Sequence, residues 1–229
     1  MDQIIKLNNQ TAGRDKIARL LQYLSRLLWH NLDKNKNAVL GLKNLEFQLS
    51  TFRKLLRFGR FAESIYATLP LFEEDAATIR YTVILSKITN ALFLLADHIL
   101  WLGRADLCTI DTERWANLSN RYWLYSITMN LVRDFYEISL ILKANKSSIM
   151  TKTFEPKDII DVTLKSISVL SVHQKVLIDT IKNGCDFFIP LTSLGFTKLS
   201  PGMVGLLGAI SSIAGLLVLL DSSKKLTPS

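Results

Sequence analysis

Apolar residues recur along this chain at the three-to-four-residue spacing of an α-helix. Stretches near residues 14–31, 36–68, 73–102, 112–143, 156–182 and 199–220 each carry the pattern, and no Asn-Gly or Asp-Gly pair joins two alternating runs as a β-hairpin would require. Pro70, Gly103 and Pro156 fall between the stretches, where helix breakers belong. The polar stretch 143–157 is the expected linker. The predicted fold class is all-α, a membrane-associated helical protein with N-terminal amphipathic helices and one or two transmembrane helices.

The membrane enters through hydropathy. Residues 199–220 form 22 consecutive positions without a charge, bounded by Lys198 on one side and by Asp221, Lys224 and Lys225 on the other. Such a helix is long enough for a hydrocarbon core of roughly 30 Å, although the centre of a soluble core can read the same way. Within it Gly205, Gly208, Ser211, Ser212 and Gly215 would let another helix approach closely, or are simply small residues tolerated in lipid. Residues 83–102 are a second candidate span. They include Lys87, Asp97 and His98, and a central charge costs up to about 3 kcal/mol on insertion, so an in-plane or packed helix is the competing reading. The runs 187–196 and 123–132 are too short to cross alone.

Angular arithmetic at 100° per residue separates faces on the two N-terminal helices. Ile17, Leu20, Leu21, Leu24, Leu27 and Leu28 share one side of the first, with Arg19 and Arg26 opposite. On the second, Leu45, Leu49, Phe52, Leu55, Leu56 and Gly59 occupy one arc, and Lys43, Arg53, Lys54, Arg57 and Arg60 gather on another. An apolar arc beside a cationic one suits a helix lying in a membrane surface, with the apolar side chains inserted and the cations on anionic phospholipid headgroups. A bundle helix with a solvated basic face has the same pattern.

Charge distribution sharpens this. The net charge is +8, and residues 1–60 hold 12 Lys and Arg against 4 Asp and Glu, so the whole excess lies in the first quarter. With 48% hydrophobic residues and a mean hydropathy of +0.21, a phospholipid surface is a better partner for that excess than nucleic acid; no nucleic-acid role is expected, because aromatics are not interleaved with the cations. Cys108 and Cys185 make no disulfide framework, and neither a secretory signal at the start nor a peroxisomal matrix address at the end is expected.

Several motifs in order resemble one known family. Gly13-Arg14-Asp15-Lys16, Gln22-Tyr23, Phe52-Arg53, Leu56-Arg57-Phe58-Gly59-Arg60, the run from Asn90 through Asp97-His98, and Trp101-Leu102-Gly103-Arg104 are similar to the peroxin-eleven family of peroxisomal membrane proteins. Ser119-Asn120-Arg121-Tyr122-Trp123, Arg133-Asp134 and the run Gly205 to Ser212 continue the likeness, which is nearer to the alpha/beta branch than to the gamma branch; the plain segment 143–158 departs from it. The resemblance implies a peroxisomal membrane protein that curves and elongates the membrane, promoting peroxisome proliferation and fission. It also implies self-association, recruitment of a dynamin-related GTPase and tail-anchored fission adaptors, and insertion of the helix around Leu45 to Arg60. An oligomeric pore for small metabolites is an alternative it allows, and a scaffold that only docks division factors is a third. Both termini are expected in the cytosol, which agrees with Lys224 and Lys225 beyond the last span and requires an even number of spans.

The expected divisions are residues 1–70, a basic amphipathic membrane-remodelling region; 71–145, central helices including 83–102; 146–198, linker and amphipathic helix; 199–220, the C-terminal transmembrane helix; and 221–229, a short basic tail. No Walker loop, dinucleotide fingerprint, His-Glu-x-x-His or nucleophile elbow occurs, so no catalytic residue, metal site or cofactor is expected. The histidines His30, His98 and His173 are scattered, and Asp97-His98 is expected to pair polar groups between helices. Trp101, Trp115, Trp123 and Tyr122 suit either headgroup anchors or core packing.

Overall fold

The computed structural model describes residues 5, 7–32, 36–146 and 158–228, with side chains from Thr163 onward in the last stretch. Eight α-helices and no strand are found among them: α1 Thr11–Asn31, α2 Lys36–Leu56, α3 Arg60–Tyr66, α4 Ala77–Arg104, α5 Thr112–Ala144, α6 Asp158–Val172, α7 Gln174–Ser193 and α8 Pro201–Leu220. Local chemistry sets the ends. Asp111 accepts a bond from the Arg114 amide at 3.0 Å to open α5, and Ser200 does the same for Met203 at 3.2 Å with Pro201 at the first helical position of α8. The predicted stretch 36–68 is broken into α2 and α3 because Gly59 adopts a left-handed backbone, φ +79°. Stretch 156–182 also divides, at His173, and its second part runs on to Ser193 with Pro190 inside the helix. The expected linker 143–157 lies largely outside the described residues.

Six long helices close into a ring in chain order, α1–α2–α4–α5–α7–α8 and back to α1, each packed on the next. Adjacent members run in opposite directions. Along α1 and α2, Glu46 takes bonds from Arg26 and Trp29 while Arg53 reaches Asp15 and Gln22. Along α2 and α4, Lys54 pairs with Asp97 and Arg104 reaches back to Ser50 and Thr51. Between α4 and α5, Ser86 meets Ser126 and Asp97 meets Ser119.

The closing seam is α1 against α8, built on small residues. A Cβ at Gly205 would stand 2.7 Å from the Leu27 amide nitrogen, one at Gly208 would fall 2.3 Å from the Tyr23 ring, and Gly215 faces Lys16. Ser211 and Ser212 are fully buried. Thus α1 and α8 lie antiparallel along most of their length, and the start of α1 shares one end of the ring with the end of α8. Gly205→Leu is expected to force the two backbones apart at a cost of about 1–3 kcal/mol, read as a lowered unfolding temperature in detergent; an unchanged temperature would contradict the close seam.

The surface of this ring is inverted relative to a water-soluble bundle. Leu21, Leu28, Phe52, Leu55, Leu85, Leu92, Phe135, Phe188, Leu206 and Ile213 all point outward and are exposed, whereas Asp15, Arg19, Lys54, Asp97, Arg133, Asp134, Asp179 and Asp186 are buried. Water would penalise both halves of that arrangement. Lipid reverses the first penalty, and pairing in the interior answers the second. Of the described helices α4 and α8 are long and apolar enough to cross a membrane by themselves; α1 and α2, at 21 residues each, match a hydrocarbon core of about 30 Å in length.

Candidate functional site

The interior is assembled from polar stripes, one per helix. On α1, Asp15, Arg19 and Gln22 fall at i, i+4 and i+7, one face of a helix. On α5, Ser119, Ser126, Asn130 and Arg133 repeat that spacing, and on α7 Asp179, Asn183 and Asp186 do so again. All are turned away from the apolar exterior, and they meet as two connected networks.

In the upper network, α2 and the turn that follows it supply three cations. The Arg53 guanidinium donates to Asp15 at 3.0 Å and to Gln22 at 2.7 Å. Lys54 and Arg57 both engage Asp97, Arg57 at 2.8 Å, while the Ser119 hydroxyl approaches the same carboxylate at 3.4 Å. An imidazole nitrogen of His98 lies 3.0 Å from the Arg57 carbonyl. Across the ring Arg19 pairs with Asp186. Aromatic faces sit under the guanidinium groups: Phe93 stacks on Trp123, Arg57 lies over Phe93 and Arg19 over Trp123 and Tyr23, at centroid distances of 5.3–5.9 Å.

The lower network is centred on Arg133. It donates to Asp134 at 2.8 Å, to Asp179, and to the Pro228 carbonyl of the tail at 3.1 Å. Lys182 also holds Asp179, and the Asn183 amide donates to Asp134 at 2.6 Å. Nearby but outside the spans, the side-chain and backbone donors of Ser223 hold the Asp221 carboxyl below its ordinary range.

Between these networks lies open volume. One chamber of about 470 Å³ is lined from α1, α2, α4, α5 and α7 plus Arg57 and Arg60, with eight Lys and Arg against three carboxylates, Asp15, Asp97 and Asp186. A second, of about 340 Å³, shares Asn90, Ser126, Asn130 and Lys182 with the first and continues toward the tail past Lys87 and Lys225. Its wall holds four cations and one carboxylate, Asp179. Among the described residues no cluster of His, Cys, Asp and Glu could hold a metal.

The sequence-predicted site residues distribute over both sides of the ring. Leu45, Phe52 and Leu55 are exposed on the exterior of α2, with Leu49 and Leu56 half-buried beside them. The cationic arc does not lie on that exterior: the Arg53, Lys54 and Arg57 side chains are only about a tenth exposed and face interior carboxylates, because those carboxylates are their nearest counter-charges. Lys43, over the Trp29 ring, is exposed on α2, whereas Arg60, the first residue of α3 and beside Glu63, is partly exposed at the rim of the larger chamber. Gly205, Gly208 and Gly215 face α1, and Ser211 and Ser212 are buried on the same helix. Trp123 is an interior residue. The Arg133, Asp134, Asp179, Asn183 and Asp186 cluster was not anticipated as a site, although its helical spacing was visible.

The family model for peroxisomal biogenesis factor 11 (PEX11) matches residues 1–220. The chain belongs to the PEX11 family. Peroxisomal membrane protein 11B of Bos taurus is 32% identical over 258 residues, covering all of both chains. Peroxisomal membrane protein 11A of Homo sapiens is 32% identical over 244 residues, 99% of each, and the Dictyostelium discoideum homologue is 27% identical over 94% of this chain and 92% of its own. No solved structure matches. Membership places the chain in peroxisome biogenesis as a peroxisomal membrane protein. The apolar exterior of the ring fits that setting, and the expected all-α, membrane-associated fold class agrees with the helices found.

Proposed function

We propose that this PEX11-family protein elongates the peroxisomal membrane before division, with α2 as the element that expands one leaflet. The observation that carries the reading is the exterior of α2, where Leu40, Leu45, Phe52 and Leu55 are exposed and uncovered by any other described helix while Lys43, Asn44 and Gln48 give it a polar margin. Such a surface packs against acyl chains along the flank of the ring, with Lys43, Asn44 and Gln48 reaching toward headgroups. The start of α1 and the end of α8 lie at the same end of the ring, and on this reading that end faces the cytosol. Self-association and docking of a dynamin-related GTPase with its tail-anchored adaptors complete the proposal, supported by the family resemblance.

The test is electron microscopy of anionic liposomes reconstituted with full-length protein. Wild type is expected to draw tubules, and Phe52→Glu/Leu55→Glu to leave round vesicles with unchanged helical content. Full tubulation by the double variant would remove α2 from the mechanism. A second reading, passage of small metabolites, is favoured by the interior chambers, and locates the path inside one chain rather than between copies.

A further inference from the structure

The interior carries far more positive charge than it can neutralise itself. With Arg60 and Lys182 paired to Glu63 and Asp179, six cations face three carboxylates in the larger chamber, and two of those six have no carboxylate in ion-pair contact among the described residues: Lys16, which packs against Gly215, and Arg104, bonded to the hydroxyls of Ser50 and Thr51. The smaller chamber adds Lys87 and Lys225, also without a carboxylate in ion-pair contact among the described residues. An apolar exterior makes this imbalance more costly, since charges inside a low-dielectric shell are poorly screened. A mobile counter-anion is the simplest way to balance it.

We propose that the larger chamber is a binding site for a small polyanion of the phosphate type, held by Lys16, Arg53, Arg57 and Arg104. The donors suit that chemistry. Guanidinium forks come from Arg53 of α2, from Arg57 just past its end and from Arg104 of α4, and an ammonium from Lys16 of α1, so cations from separate elements line one cavity. Asn90 and Asn120 add neutral donors, and the Phe93–Trp123 pair offers an aromatic face to any organic portion. Its volume, about 470 Å³, falls in the range of small-molecule sites. Lys87 and Lys225, along the continuation toward the tail, would draw an anion inward from that end.

The same phosphate chemistry is available from two sources, a free anion entering along the ring axis or a lipid headgroup entering between helices. The site stands apart from the wedge reading of α2 and deepens the metabolite reading without requiring conduction.

Full-length protein is placed in nanodiscs of phosphatidylcholine alone, titrated with inorganic pyrophosphate, and compared with nanodiscs containing phosphatidic acid, with thermal unfolding as the readout. Stabilisation by pyrophosphate in pure phosphatidylcholine assigns the site to a soluble anion; stabilisation by phosphatidic acid alone assigns it to a headgroup. Lys16→Gln/Arg104→Gln breaks no ion pair, and is expected to weaken the response, read against the variant's own unliganded unfolding temperature, at least about tenfold. Lys43→Gln, on the exterior, is expected to respond as wild type. No response in either nanodisc overturns the proposal. So does a full response from the interior double variant, or an equal loss from the Lys43 variant. Because binding is read without conductance or tubulation, its failure leaves the proposed function to its own test.

Discussion

Asp97→Leu is expected to destabilise the protein by about 3–5 kcal/mol, the cost of removing one partner from a buried ion pair. Asp97 is 1% exposed and neutralises both Lys54 and Arg57, so its loss leaves two cations at the end of α2 facing α4 without their counter-charge. The hydroxyl of Ser119 cannot substitute, since it brings no charge. For a chain of this size the deficit corresponds to an unfolding temperature lower by roughly 6–20 °C, measurable in detergent by tryptophan fluorescence. The triple variant Asp97→Leu/Lys54→Met/Arg57→Met should regain most of it, because apolar groups of similar volume replace a buried ion cluster at little or no cost. A single variant within 2 °C of wild type would mean that Asp97 is hydrated rather than the interior junction described above.

Helices were legible in the sequence because amphipathic spacing survives in either solvent. What the spacing does not contain is which face turns inward. Phe52 and Leu55 alternate with Arg53 and Lys54 in the same way whether the helix buries its apolar arc in a soluble core or its cationic arc in a membrane ring. The uncharged residues 199–220 supply the missing information by implying lipid, and lipid inverts the assignment for every helix packed beside that span. Once inverted, the cations of α2 need interior partners, and these lie far along the chain: Asp15 is 38 residues from Arg53, and Asp97 is 43 from Lys54. No local pattern announces such pairs.

The α7 cluster shows the other kind of gap. Asp179, Asn183 and Asp186 were spaced for one face, but the predicted helix ended at residue 182, so the stripe was split across a boundary that does not exist. Asn183, Gly184 and Pro190 all argue locally for a helix end. Tertiary pairing overrides them, through Arg19 with Asp186 and Arg133 with Asp179. The division at Gly59 is the reverse case, a local signal that does decide the backbone.

Arg133→Met should cost a comparable 3–5 kcal/mol and, unlike Asp97→Leu, should release the tail. Arg133 is 2% exposed and is the one group that touches Asp134, Asp179 and the Pro228 carbonyl together among the contacts described. Methionine fills much of the volume but leaves two carboxylates near each other with only Lys182 and the Asn183 amide to compensate. Arg133→Met/Asp134→Asn/Asp179→Asn removes that repulsion and is expected to recover stability while the tail stays loose, since no donor remains for the Pro228 carbonyl. Amide hydrogen exchange separates the two effects. Residues 222–227 should exchange faster in both Arg133 variants and at the wild-type rate in Asp97→Leu. Unchanged tail exchange in Arg133→Met would show that Leu226, buried against the ring, holds the tail without the arginine.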